Sequence, residues 1–152
     1  MVPRAAQRPR PPILIGGYVD AVLKRAGTVG DGWLTYFYTP ESFTTSWDKV
    51  KAYARGAGRD PAALESTNQL AIYVGESRAQ TAADMRQWLS TEWDTAAWSE
   101  STIEHAIHGS AAECIEQLRA HVKTGVDRII LIPYRYRPEQ VERIAKEVLP
   151  KL

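Results

Sequence analysis

The sequence has little that points to an extracellular, membrane-embedded or nucleic-acid-binding protein. Its 152 residues include a single cysteine, Cys114, which excludes an internal disulfide and favours a reducing compartment. No apolar run is long enough to span a bilayer, and the first residues lack the apolar segment of a signal peptide. The formal net charge is only +1, so electrostatics favour neither nucleic acid nor a membrane surface. These absences predict a cytoplasmic protein that binds neither.

Several familiar catalytic patterns are also missing. The stretch GGYVDA lacks the spacing G-x-G-x-x-G, and no acidic residue ends the next predicted strand, so it is not a dinucleotide fingerprint. There is no P-loop, no Ser-His-Asp order and no carboxylate pair in a predicted loop. His105 and His108 have no third ligand at a suitable spacing, so no metal site is predicted. Redox chemistry on this chain would have to come from a cofactor.

What the sequence does contain is an alternation of strand and helix patterns. The Pro- and Arg-rich residues 1–10 predict an extended arm, and residues 11–152 predict one domain with an irregular or partly helical insert near 89–109. Four strand-then-helix units are predicted, with strands at residues 13–15, GWLTYFY, NQLAIYVG and RIILIPY. Because these strands are apolar on both faces, they predict an α/β fold with a parallel sheet covered by helices on both sides.

Local signals predict where the helices begin and which faces are buried. Thr39 is placed to cap the second helix, and capping boxes begin at Ser77 and Ser110. In the last helix the apolar spacing puts Val141 on the buried face, whereas His121 in the preceding helix is expected at the surface.

The unusual residues cluster where the predicted strands end. In parallel sheets ligands bind at the carboxyl ends of the strands, and this sequence has Gly16-Gly17, residues 35–39 and residues 134–137 at those ends. A glycine pair between a strand and a helix lets a ligand approach the backbone, and the adjacent helix N-terminus attracts phosphate. The alternative is that the two glycines only form a tight turn.

Three segments together carry a resemblance to a known family. RPPILIGGYVDAVLKRAGTVGDGWL, PESFTTSWDKVKAYARGAGRDPAAL and HGSAAECIEQLRAHVKTGVDRIIL resemble the luciferase-like monooxygenase family. That family includes flavin-dependent monooxygenases and oxidoreductases that use the deazaflavin coenzyme F-420, and GDGWLTYFYTPESF is similar to the latter. The resemblance implies a (β/α)8 TIM barrel, of which this chain matches the C-terminal half, strands five to eight. It also implies an oxidoreductase that acts on a small organic molecule with coenzyme F-420 or FMN, by hydride transfer or oxygen insertion.

The resemblance also implies which residues bind the cofactor. The matching positions are the loop after strand five, the loop after strand six and the turn after strand eight, namely Gly16, Gly17, Tyr18, Thr35, Tyr36, Thr39 and Arg135, with Arg137 as the alternative arginine. The first two loops would hold the phosphate and ribityl side of the cofactor, and the arginine would add a positive charge. Relatives place most residues around the isoalloxazine ring in the other half of the barrel, so no catalytic residue is predicted here.

The tryptophans around the insert and the half barrel itself each have more than one interpretation. Trp88, Trp93 and Trp98 lie around the insert, where they could form part of a lid over the substrate, pack a small apolar cluster or make a dimer contact. The half barrel itself could be a non-catalytic binding or association module. Four strands do not close a barrel, so the expected partner is a second copy of the chain or a missing N-terminal half.

Overall fold

The fold is a sheet whose strands alternate with helices along the chain. The computed structural model describes residues 6–8, 10–92 and 105–152. Within these ranges the strands are β1 (Leu14–Gly16), β2 (Gly32–Tyr36), β3 (Glu65–Val74), β4 (Ile107–Gly109) and β5 (Arg128–Pro133). The helices are α1 (Asp20–Thr28), α2 (Pro40–Gly56), α3 (Arg78–Glu92), α4 (Ala111–Val122) and α5 (Pro138–Arg143). A π-helical segment, Ile144–Val148, and a 3-10 turn, Leu149–Lys151, extend α5, while shorter 3-10 turns occupy Pro61–Ala63 and Tyr134–Tyr136.

Every strand pair in the sheet is parallel, as the sequence predicts. The long strand β3 is central: β2 pairs with its first half, and β5 pairs along its other edge. Ile72 pairs with Ile107 of β4 on one side and with Pro133 of β5 on the other. Therefore β4 continues the edge that β2 occupies and lies beyond the carboxyl end of β2. The prediction of a parallel α/β fold is confirmed.

The two faces of the sheet have different surroundings. Side chains alternate along each strand, and one set packs under the helices. Trp33 of β2 belongs to an apolar cluster with α1 and α2, and Leu70 and Ile72 of β3 belong to one with α4 and the C-terminal helical segment. Leu34 and Tyr36 point to the opposite, inner face, which would line the interior of a closed barrel.

Helix α3 covers the carboxyl end of that inner face. Met85, Trp88 and Leu89 are buried in a cluster with Ala71 of β3 and Ile132 of β5. Trp88 is therefore a core residue, whereas Trp93 and Trp98 lie outside the described residues. No helix in the described ranges is both long and apolar enough to cross a membrane.

The sequence predictions differ from the structure at several positions. Val141 is 52% exposed, because Gln140 takes the buried position and its side-chain amide exchanges hydrogen bonds of 2.9 and 3.1 Å with the backbone of Val74. His121 is buried, at 5% exposure, so the surface prediction was wrong. The end of the predicted insert forms β4, a strand that the helix-like spacing of His105 and His108 did not indicate.

Candidate functional site

The turn after β1 contains both glycines of the pair. Gly17 adopts a φ of +132°, a conformation that side-chain-bearing residues rarely adopt, so the turn favours glycine there. At Gly16, a Cβ would meet only the carbonyl oxygen of Leu34 at 4.0 Å, so the space beside this residue is open. The positive φ of Gly17 forms the tight turn, and the open space at Gly16 leaves room for a ligand to approach the backbone.

Trp33 sets the direction of the peptide between Gly17 and Tyr18. Its Nε1–H donates a 2.6 Å hydrogen bond to the carbonyl oxygen of Gly17. A trans peptide is planar, with its C=O and N–H pointing in opposite directions. The N–H of Tyr18 therefore points away from Trp33 and the helical layer in which Trp33 is buried.

The helix that follows this turn begins without a side-chain cap. In α2 the Thr39 hydroxyl accepts a backbone N–H of the first turn, and in α4 Ser110 and Glu113 form a reciprocal capping box. Within the described ranges no side chain caps α1, and the carboxylate of Asp20 in its first turn instead accepts a 2.7 Å bond from the Tyr53 hydroxyl. The third N–H of the helix bonds to the backbone carbonyl that precedes the helix, at 2.8 Å, so the first two N–H groups are left to water or to an anion.

Tyr18 and Tyr36 bring the tips of β1 and β2 together. Their rings meet edge to face, with centroids 6.4 Å apart, and the Tyr18 side chain is 59% exposed. Burial, followed by the nearby Tyr18 and Tyr38, raises the pKa of Tyr36 above its usual value. The Tyr36 phenol therefore stays neutral at physiological pH. Both residues present an aromatic surface and hydroxyl groups beside the glycine turn.

The two threonines of the predicted site lie in different surroundings. Thr35 is two residues after Trp33 in β2 and so faces the helical layer as Trp33 does. Its side chain is buried there, and its Oγ1 has no hydrogen-bond partner among the described residues. Thr39 uses its Oγ1 to accept the N–H of Ser42 at 3.1 Å as the cap of α2. Neither hydroxyl lies on the inner face of the sheet, the face to which Tyr36 points.

Arg135 lies at the same end of the sheet but at its opposite edge. β5 is three strand spacings from β1, or about 14 Å along the sheet. Arg135 has a φ of +49°, and its guanidinium lies 5.4 Å from the ring centre of Tyr134. Its Nε is buried and finds no hydrogen-bond partner in the part of the chain that the structure describes. Arg137 lies 5.7 Å from the same ring. The structure therefore brings Gly16, Gly17, Tyr18 and Tyr36 together and places Arg135 apart from them.

A further group of charged residues was not predicted as a unit. Arg78, Arg86, His105 and His108 line one cavity beside β4. Across the described part of the chain, no three His, Cys, Asp or Glu side chains come close enough to hold a metal ion.

The β1 tip fits one part of a phosphate-bearing flat cofactor. Open space at Gly16, a helix without a side-chain cap and the Tyr18 N–H, which points away from Trp33, suit a phosphate group. The exposed ring of Tyr18 beside Tyr36 suits an adjacent sugar-like or aromatic portion.

Several solved structures share this fold. An F-420-dependent secondary alcohol dehydrogenase in complex with an F-420–acetone adduct superposes with a TM-score of 0.70 at 16% identity, covering 90% of this chain and 48% of that one. A monooxygenase from Streptomyces bottropensis gives 0.71 at 20% identity, covering 99% and 51%. Riboflavin lyase with modified FMN and its substrate riboflavin gives 0.63 at 10% identity, covering 89% and 41%. The chain thus spans about half the length of these structures, or less.

Sequence comparison identifies the family. No curated protein matches the sequence. The family model described as luciferase-like monooxygenase matches residues 1–128, which is most of the chain. Together with a parallel α/β fold that corresponds to half of the TIM barrels of luciferase-like enzymes, this match establishes that the chain belongs to the luciferase-like monooxygenase family.

Proposed function

We propose that this chain is the cofactor-holding C-terminal half of a flavin- or deazaflavin-dependent oxidoreductase. The observation that carries the proposal is the tip of β1, where the open side of Gly16 meets an α1 N-terminus without a side-chain cap. Uncapped N–H groups and the positive end of the helix dipole favour a phosphate there. Gly16, Gly17 and Tyr18 would hold the phosphate tail of FMN or coenzyme F-420.

The remaining predicted residues have supporting roles in this proposal. Tyr36 lies on the inner face next to Tyr18 and would orient the ribityl portion. Thr39 would act by capping α2, and Thr35 would require a rearrangement to reach a ligand, because its hydroxyl faces the helices. Arg135, at the far edge, would contact a second anionic or polar portion of a ligand that crosses the mouth of the sheet.

The bound cofactor would supply the redox chemistry, as hydride transfer or oxygen activation toward a small organic substrate. The chain itself would bind, orient and exclude water. Met85, Trp88 and Leu89 of α3 already cover the end of the inner face with apolar side chains. A dry surface of this kind strengthens electrostatic contacts to a bound ring.

The other half of the site would come from additional β/α units. Among the described residues, β1 pairs only with β2 and β5 pairs only with β3, so both outer edges of the sheet expose backbone hydrogen-bonding groups. A closed barrel needs matched strand number and shear. We expect four more strands, from an N-terminal half or a second copy, to supply the residues around the ring.

A second candidate function follows from the same two edges. A half barrel that pairs with another polypeptide could serve as a binding or association module without catalysis. The chain covers 39 to 52% of the length of the solved structures, and this partial coverage supports a module that pairs with another polypeptide.

The cofactor proposal is tested by loading and desalting. The purified chain is incubated with FMN or coenzyme F-420, passed through a desalting column and examined by absorbance and fluorescence. Retained cofactor is expected for the parent chain and a clear loss for Gly16→Val, since the new side chain would fill the open space. Gly56→Val is the matched control, because Gly56 also has open space around it but lies at the end of α2, at the opposite end of the fold. Equal retention by both variants would remove the phosphate assignment.

Light scattering separates the two candidates. A chain that forms a stable dimer or binds a separate N-terminal half, and retains no cofactor in that assembly after desalting, would support the association module. If a monomer unfolds cooperatively and still retains cofactor, cofactor binding does not require a second half of the barrel.

A further inference from the structure

We propose that a second ligand site lies beside β4, in a cavity of about 540 Å³ that binds a small oxyanion, a phosphate or carboxylate group. Arg78 and Arg86 of α3, with His105 and His108 at β4, line this cavity over an apolar floor of alanine and methionine side chains. In the part of the chain that the structure describes, no acidic residue lines it. This site is separate from the glycine turn at β1.

The topology brings these four residues together. β4 pairs with the end of β3, so that His108 is opposite Tyr73 in the ladder. The segment that enters β4 passes the tip of β2, where His105 Nδ1 lies 3.0 Å from the carbonyl oxygen of Phe37. Helix α3 packs along β4 and places Arg78 and Arg86, two turns apart, on the side that faces both histidines.

Hydrogen bonds assign the proton on each histidine ring. The Thr81 hydroxyl lies 3.0 Å from the Ser77 carbonyl oxygen and 2.9 Å from His108 Nδ1; with its proton on the Ser77 carbonyl, it accepts from His108 Nδ1. His105 Nδ1 must donate as well, because the carbonyl of Phe37 can only accept. In both rings Nε2 is the nitrogen that these bonds do not use.

These assignments suit an oxyanion that brings a proton. Burial, followed by the charge of Arg78, lowers the pKa of His108, while Glu113 raises it, so the ring is neutral at neutral pH. A neutral Nε2 accepts a hydrogen bond from the hydroxyl of a hydrogen phosphate, while Arg78 and Arg86 pair with the negative charge of the phosphate or of a carboxylate. Binding should tighten as the pH falls, since a bound anion favours protonation of His108.

A cation is disfavoured at the same place. The two guanidinium groups repel it, and the two histidines lack a third ligand within the described ranges. A smaller cavity of about 180 Å³ also has Arg78 and His105 in its wall and reaches Thr39 at the cap of α2.

Inorganic phosphate is the probe, with acetate in a parallel titration at constant ionic strength. The chain has only three histidines, so their ring-proton NMR resonances can be assigned by single substitutions. A saturable shift of His105 and His108 is expected, with tighter binding at lower pH. Because a charge-assisted hydrogen bond is lost with each arginine, the double variant Arg78→Gln/Arg86→Gln should bind phosphate about tenfold more weakly or worse. Arg55→Gln, an exposed arginine in the last turn of α2, is the matched control and should bind normally.

The possible outcomes separate this site from the cofactor site. A phosphate response without an acetate response assigns a phosphate group, and the reverse assigns a carboxylate. No saturable shift with either anion, or equal phosphate affinity in the double variant and Arg55→Gln, would overturn the proposal. Gly16→Val should leave the histidine shifts unchanged, so a failure of cofactor retention and a failure of the anion site are distinguishable.

Discussion

Replacing Trp33 by phenylalanine tests how the core supports the glycine turn. Trp33 is fully buried, its ring stacks on Phe43 and Trp47, and its Nε1–H holds the carbonyl of Gly17. Phenylalanine keeps an aromatic ring in the cluster but removes both the hydrogen bond and one ring of the indole. The substitution therefore removes support from the turn after β1 without changing any residue of the turn itself.

The structure bounds the size of the effect. The lost hydrogen bond contributes about 1 kcal/mol, because the half-buried carbonyl of Gly17 regains some contact with water. The space left by the missing ring costs roughly 1–2 kcal/mol, a fraction of a full truncation to alanine. The sum of roughly 2–3 kcal/mol corresponds to a drop in melting temperature of roughly 4–12 °C for a domain of this size.

Two measurements check the reasoning. Thermal or urea denaturation gives the loss of stability, and hydrogen exchange follows the amide of Gly17, which donates to the Leu34 carbonyl at 3.2 Å. Trp47→Phe is the matched control, because it removes the same ring from the same cluster while leaving the bond from Trp33 to Gly17 in place. The exchange of the Gly17 amide should speed up in Trp33→Phe and stay close to the parent in Trp47→Phe. Equal protection in both variants would refute the idea that Trp33 holds the turn.

Three other predictions concern stability and reactivity. Gly27→Ala should lower the free energy of unfolding in urea by about 1–3 kcal/mol, because the new Cβ would lie 2.4 Å from the Val50 carbonyl oxygen. Gly56→Ala, in open space, should raise it by about 0.5–1 kcal/mol. An unchanged stability in Gly27→Ala would contradict the close approach of α1 to α2. Burial lowers the pKa of His121 from 6.5 to about 4, so below pH 6.5 the unfolded chain binds more protons than the folded chain. The free energy of unfolding should therefore fall by roughly 3 kcal/mol as the pH drops to about 4. His121→Gln should flatten that loss, and an unchanged pH profile would rule it out as the cause. Burial raises the pKa of Cys114 to about 12, so a thiol reagent should modify it only after unfolding, and rapid labelling of the native chain would disprove its burial.

Local patterns predicted the elements well wherever the signal and the structure are both local. The capping box at Ser110 and the cap at Thr39 form as expected, because their hydrogen bonds join residues three apart. The apolar spacing of α2 likewise matches its buried face. The spacing failed at Val141, because a buried glutamine that bonds to the backbone of Val74 outweighs an apolar residue one position later.

Some residues of the candidate sites could be found from local sequence patterns, and others could not. Gly16 and Gly17 could be noticed in the sequence, since adjacent glycines between a predicted strand and helix indicate either a tight turn or a close approach of a ligand. The basic cavity could not be found that way, because Arg78 and Arg86 belong to an ordinary polar helix surface and only the pairing of β4 with β3 brings His105 and His108 to it.

The sequence alone determined the alternation of strands and helices apart from β4, the parallel sheet and the resemblance to the family, since apolar periodicity and caps act over a few residues and the resemblance follows the chain in order. The tertiary structure decided which tips share a site. It joined Tyr18 to Tyr36, moved Arg135 to the far edge and turned Thr35 toward the helices. Strand register and side-chain alternation control these outcomes, and both depend on pairing between segments distant in the chain.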